Sequence, residues 1–192
     1  MATMNPWEES SLQYRYEDDT GAVTTNVAIH VNDTVHDSII YPGLYAPSGV
    51  DILGILARVM MRPCPTVELG PIDASCALIL CDLQQPDYPI VYVSDAFVVL
   101  TGFSPSEVIG RNCRFLQAPG GKVRKSSARK HVDKDVLKRM SRAVASNTEL
   151  AVQVTNFKKN GDRFVNILTM IPVCWNSSVP RYSVGFQAEK TW

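Results

Sequence analysis

The stretch GRNCRFLQ, residues 110–117, decides how the rest of the chain is interpreted. Asn112 is a suitable N-cap for a short helix that begins at Cys113. On that helix Cys113 and Gln117 are spaced i and i+4, and Arg114 and Gln117 i and i+3, so a thiol, a guanidinium and an amide border one cavity. Arginine is almost never fully buried without an anion. The stretch therefore predicts a binding site in place of ordinary core packing.

Length and composition are typical of a globular protein. The chain has 192 residues, of which 45% are hydrophobic and 20% charged, and its 19 basic side chains balance 19 acidic ones. This length suits one well-buried domain with an extension, and the charge balance gives no overall attraction to nucleic acid or an anionic membrane. The sequence has no apolar run as long as a membrane span and no signal-peptide pattern at its N-terminus, so we expect a cytoplasmic or nuclear location.

The cysteines do not form an obvious metal or disulfide pattern. Their odd number and wide spacing fit neither a disulfide framework nor a zinc site, and the three histidines do not cluster with them. We therefore expect no metal, and the default interpretation of each thiol is a small buried apolar side chain. The five cysteines are Cys64, Cys76, Cys81, Cys113 and Cys174.

Three segments follow one another along the chain. Residues 1–40 are polar without a sustained period, which predicts a flexible N-terminal extension. Residues 41–68 predict an N-terminal cap whose helix is capped by Ser48 and ends at the prolines of RPCP. Residues 69–192 form the main domain. The apolar positions of the cap helix that follow helical spacing are Ile52, Leu53, Leu56, Val59 and Met60.

The main domain predicts two strands, a helical middle and three further strands. The first pair is CALILCDL and PIVYVSD, and the last three are ELAVQVTNFK, RFVNILTMIPV and RYSVGFQA. Between them, the sequence predicts helices at DAFVVLTG, after the capping box SPSE at 104–107, and at Asp133–Ser146. Strands grouped at both ends of a helical middle indicate an α+β fold, with a five-stranded antiparallel sheet and its helices gathered on one face.

Amide side chains are placed unusually in the last three strands. Asn156 and Asn166 flank the hairpin NFKKNGDRFVN, and Gln187 lies in GFQ. The two asparagines share a face of the sheet only if the loop is odd in length, which KNG provides with Gly161 in a left-handed conformation. The three amides then converge with Gln117 and offer donors and acceptors to a planar, heteroatom-rich ring.

Together, GRNCRFLQ, NFKKNGDRFVN and GFQ closely resemble the LOV (light, oxygen, voltage) class of PAS-fold blue-light receptors over Leu69 to Glu189. The preceding GLYAPSGVDILG and RPCPTVELGPIDASCALILCDL are similar to the small fungal photoreceptors of the Vivid and Envoy type. The resemblance implies a PAS/LOV fold enclosing a flavin. It further implies that Cys113 forms a bond to flavin C4a after blue-light excitation, and that this bond reverses in the dark.

The resemblance also implies the cofactor contacts. FAD is favoured over FMN, because the loop APGGKVRKSSARKHV is long enough to accommodate an adenine half. One departure concerns the phosphate: Ser141 stands where related proteins carry an arginine, and Arg142 or a basic loop residue could substitute. The implied contacts are Asn156, Asn166 and Gln187 to the ring edge, Asn112 and Gln117 to ribityl or ring polar atoms, Arg114 to a phosphate, and Leu116 and Leu168 to the flavin.

The signal implied by the resemblance is a change of association. Rotation of the Gln187 amide would be relayed through Cys76 and Asp73 to the cap, releasing the segment around Leu44 to Met60 for homodimerisation. The implied partner is a PAS-containing light-responsive transcription factor, so the protein would modulate light-responsive transcription and photoadaptation. No kinase or nuclease pattern follows the sensor, and we expect no enzymatic activity.

Two other classes of function stay open. A flavin-dependent oxidoreductase lacks support because the chain has no GxGxxG and no evident acid–base pair. A light-independent PAS interaction module, or a redox sensor that uses Cys64, Cys76 or Cys174, is the other alternative. The basic loop residues fit a solvated face, a nuclear-import patch or a cofactor contact; they are Lys122, Arg124, Lys125, Arg129 and Lys130.

Overall fold

A five-stranded antiparallel sheet organises the computed structural model, which describes residues 50–73, 75–125, 127–175 and 177–191. The predicted extension 1–40 and the start of the cap, including Leu44 and Ser48, lie outside the described residues. The sheet order is β2-β1-β5-β4-β3, and each neighbouring pair is antiparallel. The predicted α+β fold is confirmed.

The elements follow the predicted order. The strands are β1 (Ala77–Asp82), β2 (Ile90–Val93), β3 (Leu150–Phe157), β4 (Arg163–Cys174) and β5 (Pro180–Glu189). The helices are α1 (Ile52–Met60), α2 (Asp95–Thr101), α3 (Pro105–Val108) and α4 (Lys134–Ser146), with 3₁₀ helices at Cys113–Gln117 and Pro119–Gly121. Within the described residues, none of these helices has the length and apolar character needed to cross a bilayer.

The two faces of the sheet pack against different helices, because alternate residues of a strand point to opposite sides. On the inner face, Ile79 and Cys81 of β1 pair with Gly185 and Ser183 of β5. Buried side chains of α2, α3 and the first 3₁₀ helix pack against this face. The apolar side of α4 packs beside them, against β3 and β4. This arrangement encloses space between the sheet and its helices.

The outer face of the sheet carries the cap helix α1. Ile55, Leu56 and Val59 are buried there, in one cluster with side chains of β1, β4 and β5. The prediction of Ser48 as N-cap is wrong: α1 begins after Asp51, whose Oδ1 accepts a hydrogen bond of 2.8 Å from Gly54 N. The carboxylate of Asp51 satisfies a donor of the first turn, so the helix needs no earlier cap.

A second apolar strip on α1 faces outward. Leu53, Met60 and Met61 are 67%, 65% and 76% exposed, so Leu53 and Met60 do not share the buried stripe predicted for them. With exposed Ala57 they follow helical spacing along one side, which we call the outer apolar strip. The prediction was wrong on this point because α1 is apolar on two sides, and spacing alone does not say which side meets the sheet.

A carboxylate clasp ties the end of the cap to the start of β3. Glu149 accepts hydrogen bonds from Arg62 Nε at 2.6 Å and from the backbone N–H groups of Thr66 and Val67, both at 2.8 Å. The Arg62 guanidinium also donates to the carbonyls of Val59 and Val67. Although burial opposes the charge, hydrogen bonds from Val67 and Arg62 hold the pKa of Glu149 below its ordinary value. The clasp therefore fixes the segment between α1 and β1.

We expect Glu149→Gln to loosen this segment and to lower the free energy of unfolding by about 2–3 kcal/mol, because Arg62 loses its charged partner while largely buried. In the wild type this stabilisation is present at neutral pH and is lost as acid protonates Glu149. Chemical denaturation and limited proteolysis near residues 62–66 measure both effects. Glu68→Gln, at an exposed carboxylate of the same segment, is the control. Equal protease sensitivity of the two variants would contradict the clasp.

Candidate functional site

A cavity of about 340 Å³ lies between the inner face of the sheet and the helices. Its apolar wall comes from β1, β4, β5 and α4, and its polar wall from the first 3₁₀ helix and the loop that precedes α4. The volume lies within the range of pockets that hold small organic ligands. The sequence-predicted site residues that line it are Asn112, Cys113, Arg114, Gln117 and Leu168.

The helix that begins at Cys113 is a 3₁₀ helix, Cys113–Gln117. Asn112 caps it as predicted, because its Oδ1 accepts a hydrogen bond of 3.0 Å from Arg114 N. The predicted α-helical spacing is wrong, since a 3₁₀ helix has three residues per turn and aligns i with i+3. Cys113, Arg114 and Gln117 nevertheless all reach the cavity.

The thiol of Cys113 lies in the cavity wall beside that of Cys81. A hydrogen bond from Cys81 holds the pKa of Cys113 below its ordinary value, against the effect of burial, and the Arg114 charge acts in the same direction. The same hydrogen bond and burial raise the pKa of Cys81. Among the described residues, no histidine or carboxylate contributes to these shifts. In the part of the chain that the structure describes, Cys113 is thus a thiol in the cavity wall whose pKa is not lowered by a histidine or a carboxylate.

Three amides form a row on the inner face of the sheet. Asn166 Nδ2 donates to Asn156 Oδ1 at 2.8 Å and to Gln187 Oε1 at 3.2 Å. Asn156, Asn166 and Gln187 are 3%, 1% and 6% exposed. The predicted odd loop is confirmed: Lys158 N donates to Asp162 O at 2.8 Å across the residues KNG, and Gly161 has φ of 95°. The hairpin therefore places both asparagines on one face.

Two atoms of this row lack a hydrogen-bond partner among the described residues. They are Asn166 Oδ1 and Gln187 Nε2, an acceptor and a donor. A buried polar atom without a partner costs free energy, so such atoms in a native fold require a reason. One reason is a ligand whose own donor and acceptor complete the set.

The amide row adjoins the cavity without lining it. Gln187 pairs across the sheet with the cavity residue Leu168, and Asn166 is two positions from Leu168 on the same face. Asn156 Nδ2 donates to the carbonyl of Leu116 at 3.3 Å, which closes this end. The buried side chain of Leu116 does not line the cavity either. The four predicted contacts at Leu116, Asn156, Asn166 and Gln187 thus lie just beyond the cavity wall.

Two arginines reach the polar end of the cavity. Arg114 forms a bidentate ion pair with Asp87, with Nη1–Oδ2 and Nη2–Oδ1 distances of 2.5 Å and 2.6 Å. Arg129 Nη1 donates to Gln117 Oε1 at 3.1 Å. Of the five basic loop residues noted in the sequence, Arg129 is the one that lines the cavity. Ser141 lines it too, where the resemblance would place an arginine.

The residues predicted to relay a signal form a continuous path along the edge of the site. Gln187 pairs with Ala77, and the neighbouring Cys76 accepts a hydrogen bond of 2.8 Å from Ser94 Oγ at its carbonyl. Cys76 N donates to the carbonyl of Asp73 at 3.2 Å. This path leads from the amide row to the segment that connects α1 with β1.

The comparisons with known proteins all point to the same family. A family model described as PAS domain matches residues 75–187. The light-state dimer of the fungal blue-light photoreceptor Vivid is 58% identical with a TM-score of 0.73, covering 77% of this chain and 99% of that chain. Blue light receptor lreA of Aspergillus flavus is 42% identical over 160 residues, covering 83% of this chain. White collar 1 protein of Neurospora crassa is 42% identical over 146 residues, covering 76% of this chain. The match spans 19% and 12% of the length of these two curated relatives.

Proposed function

Since the chain belongs to the PAS domain family and, within it, to the fungal LOV blue-light photoreceptors, we propose that it binds a flavin and signals through a reversible bond between Cys113 and that flavin. The observation that carries the proposal is the position of Cys113 in the wall of a cavity beside which three buried amides form a row. A thiol, an apolar wall and a row of amides are the parts that a planar, heteroatom-rich pigment requires.

The residues present fit such a pigment. Asn166 Oδ1 and Gln187 Nε2 supply an unused acceptor and an unused donor. Gly185 lies in the cavity wall, where a Cβ would be 3.1 Å from Ile79 Cγ1 and 3.6 Å from Leu168 Cδ1. A side chain at this position would therefore crowd these two residues and the cavity wall between them. Donors, acceptors and shape thus suit the edge and the face of a ring.

A flavin held by these residues would supply blue-light absorption and, when excited, an acceptor for the sulfur and the proton of Cys113. The role of the chain would be to hold Cys113 Sγ at a fixed place in the cavity wall, where position contributes more than ionisation. Gln187 would be the residue that responds, because its amide can present either its oxygen or its nitrogen to a ring edge whose protonation changes. The site therefore requires a fixed thiol and an amide that can turn.

The change at the Gln187 amide would reach the cap through β1. Gln187 pairs with Ala77, and the path through Cys76 and Asp73 ends in the segment connected to α1. The outer apolar strip of α1, defined above by Leu53, Ala57, Met60 and Met61, is an exposed surface suited to self-association. Vivid forms a light-state dimer, and we infer that this chain dimerises on illumination in the same way.

Three finer features belong to the same proposal. We infer FAD in preference to FMN, because the long loop before α4 leads to the cavity at Arg129. We infer three parts of the chain: an extension at 1–40, a cap at 41–68 and a photosensory domain at 69–192. We infer a cytoplasmic or nuclear location and, from the family resemblance, a PAS-containing transcription factor as partner. The protein would act as a switch and not as an enzyme.

The absorption spectrum of the purified full chain tests the proposal. We expect a yellow protein whose visible absorption bleaches under blue light and recovers in darkness, and whose extracted pigment is a flavin. Colourless protein after addition of flavins, or pigment that does not bleach, would overturn the proposal. Steady oxidation of NAD(P)H would favour an enzyme. Association that follows oxidants and ignores light would favour a redox sensor using the exposed Cys64 or Cys174.

We expect Gln187→Leu to separate photochemistry from output. Leucine has a similar size but no amide, so bleaching continues while light-dependent dimerisation falls at least about tenfold, as expected when one buried hydrogen bond of roughly 1.5 kcal/mol is removed from the switch. Size-exclusion chromatography in darkness and light, with absorption recorded on the same samples, measures both properties. Dimer formation equal to that of the wild type would place the relay in another residue.

A further inference from the structure

The buried hydroxyl of Ser94 takes the place of a backbone acceptor where β2 gives way to α2. Ser94 is 2% exposed, and its carbonyl accepts from the N–H groups of Phe97 and Val98 in the first turn of α2, at 3.1 Å and 3.3 Å. That carbonyl is therefore turned away from β1. Leu78 N donates instead to Ser94 Oγ at 3.0 Å, while Ser94 N donates to Leu78 O at 3.0 Å. Ser94 thus extends the pairing of β1 with β2 through its side chain.

The same hydroxyl uses its full capacity for hydrogen bonds. Besides accepting from Leu78, Ser94 Oγ accepts from Phe97 N at 3.2 Å and donates to the carbonyl of Cys76 at 2.8 Å. A hydroxyl has one hydrogen to donate and two lone pairs that accept, so all three are engaged. Phe97 N has the carbonyl of Ser94 as a second acceptor. Loss of the hydroxyl would therefore mainly affect Cys76 and Leu78, at the start of β1.

These contacts lie on both sides of the residue at which β1 meets the amide row. Ala77 stands between Cys76 and Leu78 and pairs with Gln187 of β5. The start of β1 is thus held by β5 along one edge and by Ser94 along the other. Cys76 and Leu78 also pack in the apolar cluster beneath the cap helix. A displacement that begins at Gln187 therefore meets Ser94 before it reaches the cap.

The support behind Ser94 is firmly packed. Phe97, one turn into α2, is fully buried in the apolar cluster on the inner face of the sheet, together with Cys81 and Phe115. Leu78 is fully buried in the cluster on the outer face. Close-packed side chains of this kind move little and transmit displacement. Ser94 therefore links two rigid clusters, one on each face of the sheet.

We propose that Ser94 is a positioning residue for the relay to the cap: its hydroxyl keeps the start of β1 in register beside Gln187, so that a change at this amide is delivered to the segment before Cys76 and is not absorbed by slippage of the strand. This inference rests on the function proposed above and concerns how the signal is transmitted. Ser94 does not line the cavity, so its removal should leave the reaction of Cys113 intact.

Ser94→Ala in the full chain tests the proposal, with Thr101→Val as the matched control. Thr101 carries another buried hydroxyl at the opposite end of α2, where Oγ1 donates to Phe97 O at 2.8 Å and accepts from Phe103 N at 3.4 Å. Both variants remove a buried hydroxyl that bonds to α2, but the hydrogen bonds to β1 are made by Ser94. A general weakening of α2 would therefore affect both variants alike.

The measured quantity is the ratio of the dimer dissociation constant in darkness to that under saturating blue light, obtained by analytical ultracentrifugation. We expect Ser94→Ala to bleach as completely as the wild type while this ratio falls roughly three- to tenfold, as the loss of a buried hydrogen bond implies. Thr101→Val should leave the ratio unchanged. Ser94→Thr keeps a hydroxyl on a residue that also suits an N-cap, and should retain the wild-type ratio.

Amide hydrogen exchange in darkness gives a second readout, which depends on neither bleaching nor dimerisation. Exchange at Leu78 should be faster in Ser94→Ala than in the wild type or in Thr101→Val, because its acceptor is gone. A wild-type ratio in Ser94→Ala despite faster exchange at Leu78 overturns the inference, as does an equal fall of the ratio in Thr101→Val. Wild-type protein that bleaches but dimerises equally in darkness and light overturns the proposed output and the inference with it. Wild-type protein that does not bleach overturns the proposed photochemistry as well.

Discussion

Cys113→Ala is expected to keep its pigment and lose all bleaching under blue light. The substitution removes the one sulfur that the 3₁₀ helix presents to the cavity, while the amides and the apolar wall that would bind the ring remain. Because the reaction depends on a positioned thiol, no nearby residue should replace it at a comparable rate. Absorption before and after illumination measures the effect, and size-exclusion chromatography should find the variant monomeric in light.

Cys81→Ala is the matched control for this prediction. Cys81 lies in the same cavity wall and is buried, and its pKa is raised by its hydrogen bond to Cys113 and by burial. Its removal should leave bleaching intact, although loss of the hydrogen bond to Cys113 should change the rate. If bleaching were retained in Cys113→Ala and lost in Cys81→Ala, the roles of the two thiols would be reversed.

Gly185→Val is expected to abolish flavin binding while the fold is kept. A Cβ at Gly185 alone would lie 3.1 Å from Ile79 Cγ1, and two additional methyl groups would project into the space between Ile79 and Leu168. The cap packs on the opposite face of β5 through Val184 and Phe186, so the substitution leaves that cluster intact. Purified protein should be colourless, with the circular dichroism of the wild type.

The control for Gly185→Val is the same enlargement at an exposed position of the same strand. Ala188 is exposed in β5, so Ala188→Val adds volume without entering the cavity. This variant should be as yellow as the wild type. A yellow Gly185→Val protein with wild-type affinity would mean that the ring does not lie against β5.

Features that depend on residues close together in the sequence could be predicted. Gly102 ends α2 with φ of 76°, and Ser104 N donates to Glu107 Oε2 at 2.9 Å, as the capping box requires. The shared face of Asn156 and Asn166 followed from the parity of one hairpin loop, since strand alternation leaves two choices. These predictions concern neighbours in the chain or a single turn, where few geometries compete.

Features that depend on distant contacts could not be predicted. The pairing of Arg114 with Asp87 joins residues 27 positions apart, and no local pattern indicates it. The clasp between Arg62 and Glu149 joins positions 87 apart. The prediction of which side of α1 is buried failed for a related reason. Leu53 and Leu56 are equally apolar, and only packing on the sheet decides which of them is covered. Tertiary packing, and not propensity, settles such choices.

The central strands separate the cavity from the cap helix by the thickness of a single sheet. In β1, Ile79 and Cys81 line the cavity, while Leu78 and Leu80 pack beneath the cap helix. Thermodynamic coupling is reciprocal, so a bound pigment that changes the free energy of cap docking would have the free energy of its own illuminated form changed by cap docking in equal amount. A second subunit, or another partner, that binds α1 from outside should therefore shift the equilibrium between the dark and the illuminated form. Such a partner would tune the sensor without contacting the cavity.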